Sequence, residues 1–223
     1  MSIELEVPSL VDAVSRAMRK RILSGELAQG TAVTENAVAT EYSVARPTAK
    51  AAVERLVHDG LLRRVANKTA RVPVLGLDEV RDLYFSRGLI ERSAMQALAG
   101  RGSVAESARS ALDQFDAAAA RSDLPQVVES DIAFHRALVD SLGSPRLSRL
   151  YMSLMGEFHL CMAQVQLHKL LNPKTIAAEH AAIVAAVEAR DPERAVAEID
   201  AHLHNASKRI VAFYEDAGDP AGN

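Results

Sequence analysis

Residues 33–60 read VTENAVATEYSVARPTAKAAVERLVHDG, and their pattern predicts two helices joined by a short break. Thr34 is a residue type that often caps a helix at its N-terminus, and it opens the first, short helix. After the break at Ser43-Val44, small and apolar residues recur at helical spacing until Gly60, a residue type that commonly ends a helix. Two short helices joined in this way are typical of a helix-turn-helix.

The flanking segments complete a winged version of this motif. An earlier helix is predicted over residues 8–24, where apolar residues again follow a helical period. The segments LLRRV (61–65) and ARVPV (70–74) have strand character and flank a polar turn. Three helices followed by a small hairpin form a winged helix-turn-helix, which we assign to residues 1–75.

Charge supports a nucleic-acid role for this segment alone. Residues 1–75 hold 11 Lys or Arg and 8 Asp or Glu, whereas residues 76–223 hold 15 and 21. A locally basic segment in an acidic chain favours a polyanionic partner. Because a helix enters the DNA major groove with its N-terminal residues against the bases, we expect DNA contacts at the start of the second helix of the motif and at the wing tip. The expected DNA-binding residues are Arg46, Thr48, Lys50, Asn67 and Lys68.

Residues 33–72 resemble the winged helix-turn-helix of the GntR family of bacterial transcription regulators. The resemblance implies a DNA-binding regulator, most often a repressor. The two winged helix-turn-helix units of a symmetric homodimer, its heads, would bind a palindromic operator. Three positions depart from the family pattern. Ala45 stands where Ser or Thr is usual, Asn36 where many members have arginine, and Lys68 where the wing usually has glycine.

Residues 76–223 carry no strand signal and predict an all-α bundle. Asn172-Pro173 and Asp191-Pro192 each join an N-cap residue to a proline at the first helical position, which marks the start of a helix. The fold class is therefore mostly α, with an N-terminal winged helix-turn-helix and a C-terminal six-helix bundle. The six predicted helices cover 78–100, 104–121, 124–142, 145–169, 173–190 and 192–215.

Four polar residues occupy apolar helix faces in this bundle. Asp131 and His135 lie one turn apart in DIAFH, on the third of these helices, where an uncompensated carboxylate would be costly. His180 and His202 lie at equal distances from the turn between the last two helices, so an antiparallel hairpin puts them at the same height. Three imidazoles and one carboxylate favour a transition metal, Zn²⁺ or Ni²⁺, over Mg²⁺. The alternative for each histidine is a hydrogen-bonded core residue.

An arginine also occupies an apolar helix face, on the first helix of the bundle. Arg87 shares a face with apolar residues, and its planar donors suit a carboxylate. The alternative is an internal ion pair with Glu91, one turn further on. Asn205, one turn beyond His202, is a second candidate for contact with an effector.

The C-terminal motifs also carry a resemblance. DIAFH, EH at 179–180 and AHL at 201–203 resemble the FCD effector domain of the FadR subfamily, and the six helices resemble the VanR-like group. The resemblance implies a divalent metal beneath a small-molecule pocket, often for a carboxylate. It assigns Asp131, His135, His180 and His202 as ligands and an arginine of the first helix, here Arg87, as the effector contact.

These patterns predict a cytoplasmic, ligand-responsive transcription regulator and not an enzyme. No run of apolar residues approaches the length needed to cross a bilayer, so we expect no membrane partner. Two alternatives stay open. One is a metal-dependent hydrolase, although no general base or nucleophile stands out near the predicted ligands. The other is a DNA-binding regulator whose metal is purely structural and which has no effector.

Overall fold

A computed structural model describes residues 9–65, 68–164 and 172–221. Within these ranges the backbone forms nine helices and one two-stranded sheet, so the predicted mostly α fold class is confirmed. Chain contacts divide the molecule into two compact units, Met1–Val74 and Leu75–Asn223. The elements are α1 (Leu10–Leu23), β1 (Ala32–Val33), α2 (Glu35–Glu41), α3 (Arg46–His58), β2 (Ala70–Arg71), α4 (Leu77–Arg101), α5 (Glu106–Ala120), α6 (Leu124–Asp140), α7 (Pro145–Gln164), α8 (Pro173–Glu188) and α9 (Pro192–Ala217).

The N-terminal unit is built on α3, against which α1 and α2 both pack. Met18 and Ile22 of α1 are buried together with Val53 and Leu56 of α3, which supplies a core between the helices. Thr34 caps α2 as predicted, because its Oγ1 accepts a hydrogen bond of 3.2 Å from the amide of Ala37.

The sheet of this unit differs from the predicted hairpin. β2 pairs antiparallel with β1, a strand that the sequence analysis did not predict. Residues 61–65 contribute only a bridge, in which Arg63 and Arg71 exchange two backbone hydrogen bonds of 2.8 and 2.9 Å. Leu61 and Leu62 are both buried, so this segment lacks the alternation of a half-buried strand. Residues 66 and 67 of the predicted turn 66–69 lie outside the described residues, and the amide of Lys68 donates to the carbonyl of Val65 at 3.0 Å.

The C-terminal unit is an antiparallel helical bundle. Its described helices begin within three residues of the predicted positions, and Asn172 and Asp191 cap α8 and α9 through their side chains as expected. The stretch 165–169 of the predicted fourth helix lies outside the described residues. α6 packs against α4, α5 and α7, which buries most of its circumference. This central helix carries the DIAFH stretch.

Candidate functional site

Four side chains from three helices meet inside the C-terminal unit. Asp131 and His135 come from α6, His180 from α8 and His202 from α9, and one ligand atom from each lies within 4.8 Å of the others. All four are buried, with exposures of 9%, 0%, 0% and 3%. The hairpin of α8 and α9 brings the two later histidines to one level. The structure therefore brings together the four residues that the sequence pattern singled out as ligands.

The distances between their ligand atoms suit a small cation. His135 Nε2 lies 3.1 Å from His202 Nε2, and His180 Nε2 lies 3.2 Å from Asp131 Oδ1. His135 Nε2 lies 3.9 Å from the same carboxylate oxygen. Ligand atoms in a tetrahedral site are about 3.4 Å apart when each metal–ligand bond is about 2.1 Å. The spacing of these atoms is close to that value.

Two glutamates determine which ring nitrogens face the cluster. Glu91 Oε2 lies 2.7 Å from His135 Nδ1, and Glu179 Oε2 lies 2.8 Å from His202 Nδ1. An ionised carboxylate only accepts hydrogen bonds, so each Nδ1 carries the proton and donates it. In the neutral rings the two Nε2 atoms are then bare, and their lone pairs face each other. Such a contact is repulsive unless a proton or a cation lies between them.

The third histidine has unused ligand capacity. His180 is fully buried, and among the described residues neither of its ring nitrogens makes a hydrogen bond of acceptable geometry. Phe115 and Phe134 flank the ring, with centroid separations of 5.3 and 4.5 Å. A buried polar group without a hydrogen bond is costly, so a cation that takes its lone pair would relieve a penalty. The donor set therefore fits a divalent transition metal.

The protonation states of the cluster residues at neutral pH favour metal binding. Burial, together with the nearby imidazoles of His135 and His180, lowers the pKa of His202 to about 4 against the opposing effects of Glu179 and Asp131. Burial also lowers the pKa of His180. Burial alone would raise the pKa of Asp131, but the neighbouring His180 and His135 hold that pKa below its ordinary value. At neutral pH His180 and His202 are neutral and the carboxylate is charged, as metal binding requires.

An apolar cavity adjoins the cluster. Asp131 and His202 contribute to its wall together with Arg87 and Arg209, while its apolar lining includes Phe115 and Phe158. The cavity thus combines cationic side chains with aromatic surface, the usual make-up of a small-molecule site.

Arg87 faces both an internal partner and this cavity. Its Nε donates to Glu91 Oε1 at 2.9 Å, so the internal ion pair considered from the sequence is present. Among the described residues its Nη2 and the hydroxyl of Tyr84 are buried without hydrogen-bond partners, and both residues line the cavity. Burial disfavours the charge of Arg87, but Glu91 and the surrounding Tyr151, Tyr84 and Asp131 together outweigh this effect and raise its pKa above the ordinary value. One end of the guanidinium is bound and the other is available.

Asn205 occupies a different position from the one expected. Its side chain is exposed and donates to Glu179 Oε1 at 2.9 Å, and it is not part of the cavity wall described above. Its observed contact is therefore with the glutamate that holds His202.

The expected DNA-binding residues of the N-terminal unit lie on its surface. Arg46 and Lys50 are exposed at the start of α3, and Thr48 is half-buried between them. A shallow groove runs past Arg46 and Lys68, and the first residues of α2 also line it. Asn67 lies outside the described residues. These positions give α3 an exposed basic start beside the wing, as a helix that reads the major groove requires.

Other arginines of this unit are engaged within the protein. Arg64 pairs with Glu54 at 2.6 Å and lies 3.5 Å from Glu35, and Arg55 pairs with Asp12. The guanidinium of Arg64 therefore links the segment after α3 to Glu35 of α2 and Glu54 of α3.

Comparison with known families assigns both units. Residues 82–205 match the FCD domain, and residues 10–72 match the bacterial regulatory proteins of the gntR family. The chain belongs to the FCD-containing GntR regulators. The predicted family is confirmed, and these proteins are DNA-binding transcription regulators and not enzymes, which removes the hydrolase alternative.

Relatives of this GntR regulator span nearly all of its length. It is 24% identical over 93% of its chain to the uncharacterized HTH-type transcriptional regulator BphR of Paraburkholderia xenovorans (strain LB400), covering 87% of that protein. It is also 24% identical over 92% of its chain to the transcriptional repressor NanR of Enterobacter sp. (strain 638), covering 86% of that protein. A solved GntR regulator from Rhodococcus sp. RHA1 shares its fold, with a TM-score of 0.76, 24% identity and coverage of 91% and 97%.

Sequence reasoning missed several residues around the FCD cluster. Glu179 precedes His180 on α8, so its side chain points about 100° away and contacts the histidine of the next helix. Tyr84 and Arg209, which both line the cavity, are also absent from the predicted site residues. Across the described residues of the regulator, no helix is long and apolar enough to cross a membrane.

Proposed function

We propose that this GntR regulator is a repressor whose FCD domain holds a divalent metal and responds to a small organic acid. The observation that carries the proposal is the buried group of Asp131, His135, His180 and His202, in which two bare Nε2 atoms face each other at 3.1 Å. Zn²⁺ and Ni²⁺ fit this imidazole-rich donor set best. A bound cation would neutralise the facing lone pairs and offer a further coordination position to a carboxylate.

The cavity beside the cluster supports a binding site for the proposed acid. Within the described part of the chain, Arg87 Nη2 and the Tyr84 hydroxyl are buried without a hydrogen-bond partner, and both residues line this cavity. A carboxylate that accepted hydrogen bonds from both would satisfy two buried donors at once. The apolar wall around them would then hold the rest of the acid. Asn205 remains a second candidate for contact with this acid, from its position beside Glu179.

DNA binding belongs to the N-terminal unit. Arg46, Thr48 and Lys50 at the start of α3 would contact base edges or phosphates, and Lys68 with Asn67 at the wing tip would contact the flanking backbone. A homodimer would place two such heads on a palindromic operator. On α4, Phe85 and Leu89 are 65% and 53% exposed, and this apolar surface supports burial against a second copy.

The effector would act by binding two arrangements of the regulator unequally. A ligand shifts an equilibrium only through such a difference in affinity. α4 begins at Leu77, just after the boundary between the two units, and carries Arg87, so it is the element that would transmit occupancy of the cavity towards the heads.

A direct test combines elemental analysis with DNA binding. The full-length protein should carry close to one Zn²⁺ or Ni²⁺ per chain, and it should shift DNA from the region upstream of its own gene. Organic acids that are substrates or products of enzymes encoded by neighbouring genes are then titrated into the complex. Release of the DNA by one acid, with loss of that response in Arg87→Met, is the expected result. Protein that binds no metal after loading and dialysis would contradict the metal assignment.

A second function is supported by one contact. The ion pair between Arg87 and Glu91 already gives the buried guanidinium a partner of opposite charge. Arg87 would therefore need no effector carboxylate, and the metal could be purely structural. In that case chelation would lower the melting temperature, and no acid would change the affinity for DNA.

A further inference from the structure

We propose that Glu91 and Glu179 are positioning residues that fix the tautomers of His135 and His202, so that each ring presents a bare Nε2 to the cluster. The inference rests on the proposed metal site, but it concerns the hydrogen bonds of this chain and can be tested without any metal.

Both carboxylate oxygens of Glu91 have hydrogen-bond partners. Its side chain is completely buried, and its Oε1 accepts from Arg87 Nε at 2.9 Å and from Tyr151 Oη at 2.6 Å. Its Oε2 accepts from His135 Nδ1 at 2.7 Å. Both partners of Oε1 are donors in this arrangement, so that position requires an acceptor. The carboxylate is the group that can accept on both sides.

Glu179 repeats the arrangement at the second histidine. Its Oε1 accepts from Asn205 Nδ2 at 2.9 Å, and its Oε2 accepts from His202 Nδ1 at 2.8 Å. Asn205 therefore acts as the donor that orients Glu179. In both cases one carboxylate oxygen is held by donors from elsewhere, and the other oxygen is turned towards a histidine of the cluster.

This arrangement gives glutamine substitutions an unusual consequence. A glutamine at position 91 would place its amide oxygen where Arg87 and Tyr151 donate, and its NH₂ group would then face His135 Nδ1. An NH₂ group donates, so Nδ1 would have to accept and the ring proton would move to Nε2. The nitrogen that faces the cluster would then be blocked. Glu179→Gln would act on His202 in the same way, because Asn205 would hold the amide oxygen.

The first measurement detects the tautomer directly. Full-length, metal-free protein is labelled with ¹⁵N-histidine, and long-range ¹H–¹⁵N NMR spectra at neutral pH report which ring nitrogen of each histidine is protonated. We expect His135 and His202 to carry the proton on Nδ1 in the wild type. In Glu91→Gln the proton of His135 should move to Nε2, and in Glu179→Gln that of His202 should do so.

The second measurement uses Ni²⁺ alone, with affinity determined by competition with a chromophoric chelator. Loss of a partner that orients a metal-binding histidine typically weakens metal binding 10–100-fold, and we expect a loss in that range for each glutamine variant. Glu188→Gln is the matched control, because it makes the same substitution on α8 but the Glu188 carboxylate pairs with Arg109 and not with a histidine of the cluster. Its tautomers should be unchanged and its affinity for Ni²⁺ should stay within threefold of the wild type.

The two variants keep the inference testable if one of them fails to fold. Glu91 is fully buried, whereas the side chain of Glu179 is 17% exposed and tolerates substitution better. Unchanged tautomers in a folded Glu179→Gln protein would overturn the inference, as would a switched tautomer with unchanged affinity for Ni²⁺. Wild-type protein that binds no Ni²⁺ would instead contradict the proposed metal site, while the NMR result would still decide the role of the glutamates.

Discussion

At the scale of single residues, a substitution of Arg46 should separate DNA binding from metal binding. Arg46→Ala should weaken operator binding by about 1–3 kcal/mol, because one contact to a base or phosphate is lost. Metal content should not change, since the residue lies in the N-terminal unit. Fluorescence anisotropy with operator DNA and elemental analysis of the same sample measure both properties.

Arg55 provides the control for this prediction. It lies further along α3, is exposed and is paired with Asp12. Arg55→Ala should leave DNA affinity within threefold of the wild type. A loss as large as that of Arg46→Ala would mean that general charge, and not the start of α3, determines binding.

His180 provides the reverse separation. His180→Ala should lose bound metal, because the cluster would keep only three of its four ligand atoms. Part of the DNA affinity should remain, measured on the same operator. His204→Ala is the matched control, since His204 is exposed on α9 and lies outside the cluster. Equal loss of metal in both variants would contradict the assignment.

The proximity of the four cluster residues could be predicted from the sequence. Asp131 and His135 are one helical turn apart, and His180 and His202 are equidistant from a turn that Asp191-Pro192 marks clearly. Their glutamate partners could not be found in this way. Glu91 and Glu179 contact histidines of other helices, and such contacts depend on how helices pack, which a single helical period does not specify.

At the scale of elements, the turn between α8 and α9 sets the register of the two histidines. Asp191 Oδ1 accepts from the amide of Arg194 at 2.9 Å, which caps α9. Asp191→Ala should therefore lower the free energy of unfolding by about 1 kcal/mol. Thermal unfolding of metal-free protein measures this change.

Lys208, exposed in the middle of α9, is the control for the cap. Lys208→Ala should change the free energy of unfolding by less than about 0.5 kcal/mol. A cap variant as stable as the control would show that packing alone holds the hairpin.

Helices were easier to predict than strands in this chain. Capping residues and proline mark several helix starts, and apolar residues repeat over many turns. β1 is only two residues long, Ala32–Val33, and its pairing with Ala70–Arg71 joins segments far apart in the sequence. Two residues cannot show an alternation, so the strand carries no local signal.

At the scale of the whole molecule, stability without metal should depend on pH. The pKa of His202 is lowered from 6.5 to about 4 in the fold, and that of His180 is also lowered. The unfolded chain therefore binds more protons than the folded chain below pH 6.5, so the fold loses stability as the pH falls from 6.5 towards 4. His202 alone would contribute about 3 kcal/mol to this loss.

Chemical unfolding of metal-free protein between pH 7 and pH 4.5 measures the effect. Asp131 and Glu91 do not oppose it in this window. Their pKa values are lowered, so the stability that they contribute is lost only when the pH falls below the pKa of an ordinary carboxyl group. A free energy of unfolding that stays constant from pH 7 to pH 5 would contradict the neutral state of the buried histidines.

The order of the cluster residues along the chain has a consequence for synthesis. The N-terminal unit ends at Val74, whereas the last cluster residue, His202, comes more than 100 residues later in the chain. Because N-terminal domains generally fold first as the ribosome releases them, the N-terminal unit can be complete while the cluster residues are still being translated. A nascent chain would thus fold its helix-turn-helix before it acquires the residues of the proposed metal site.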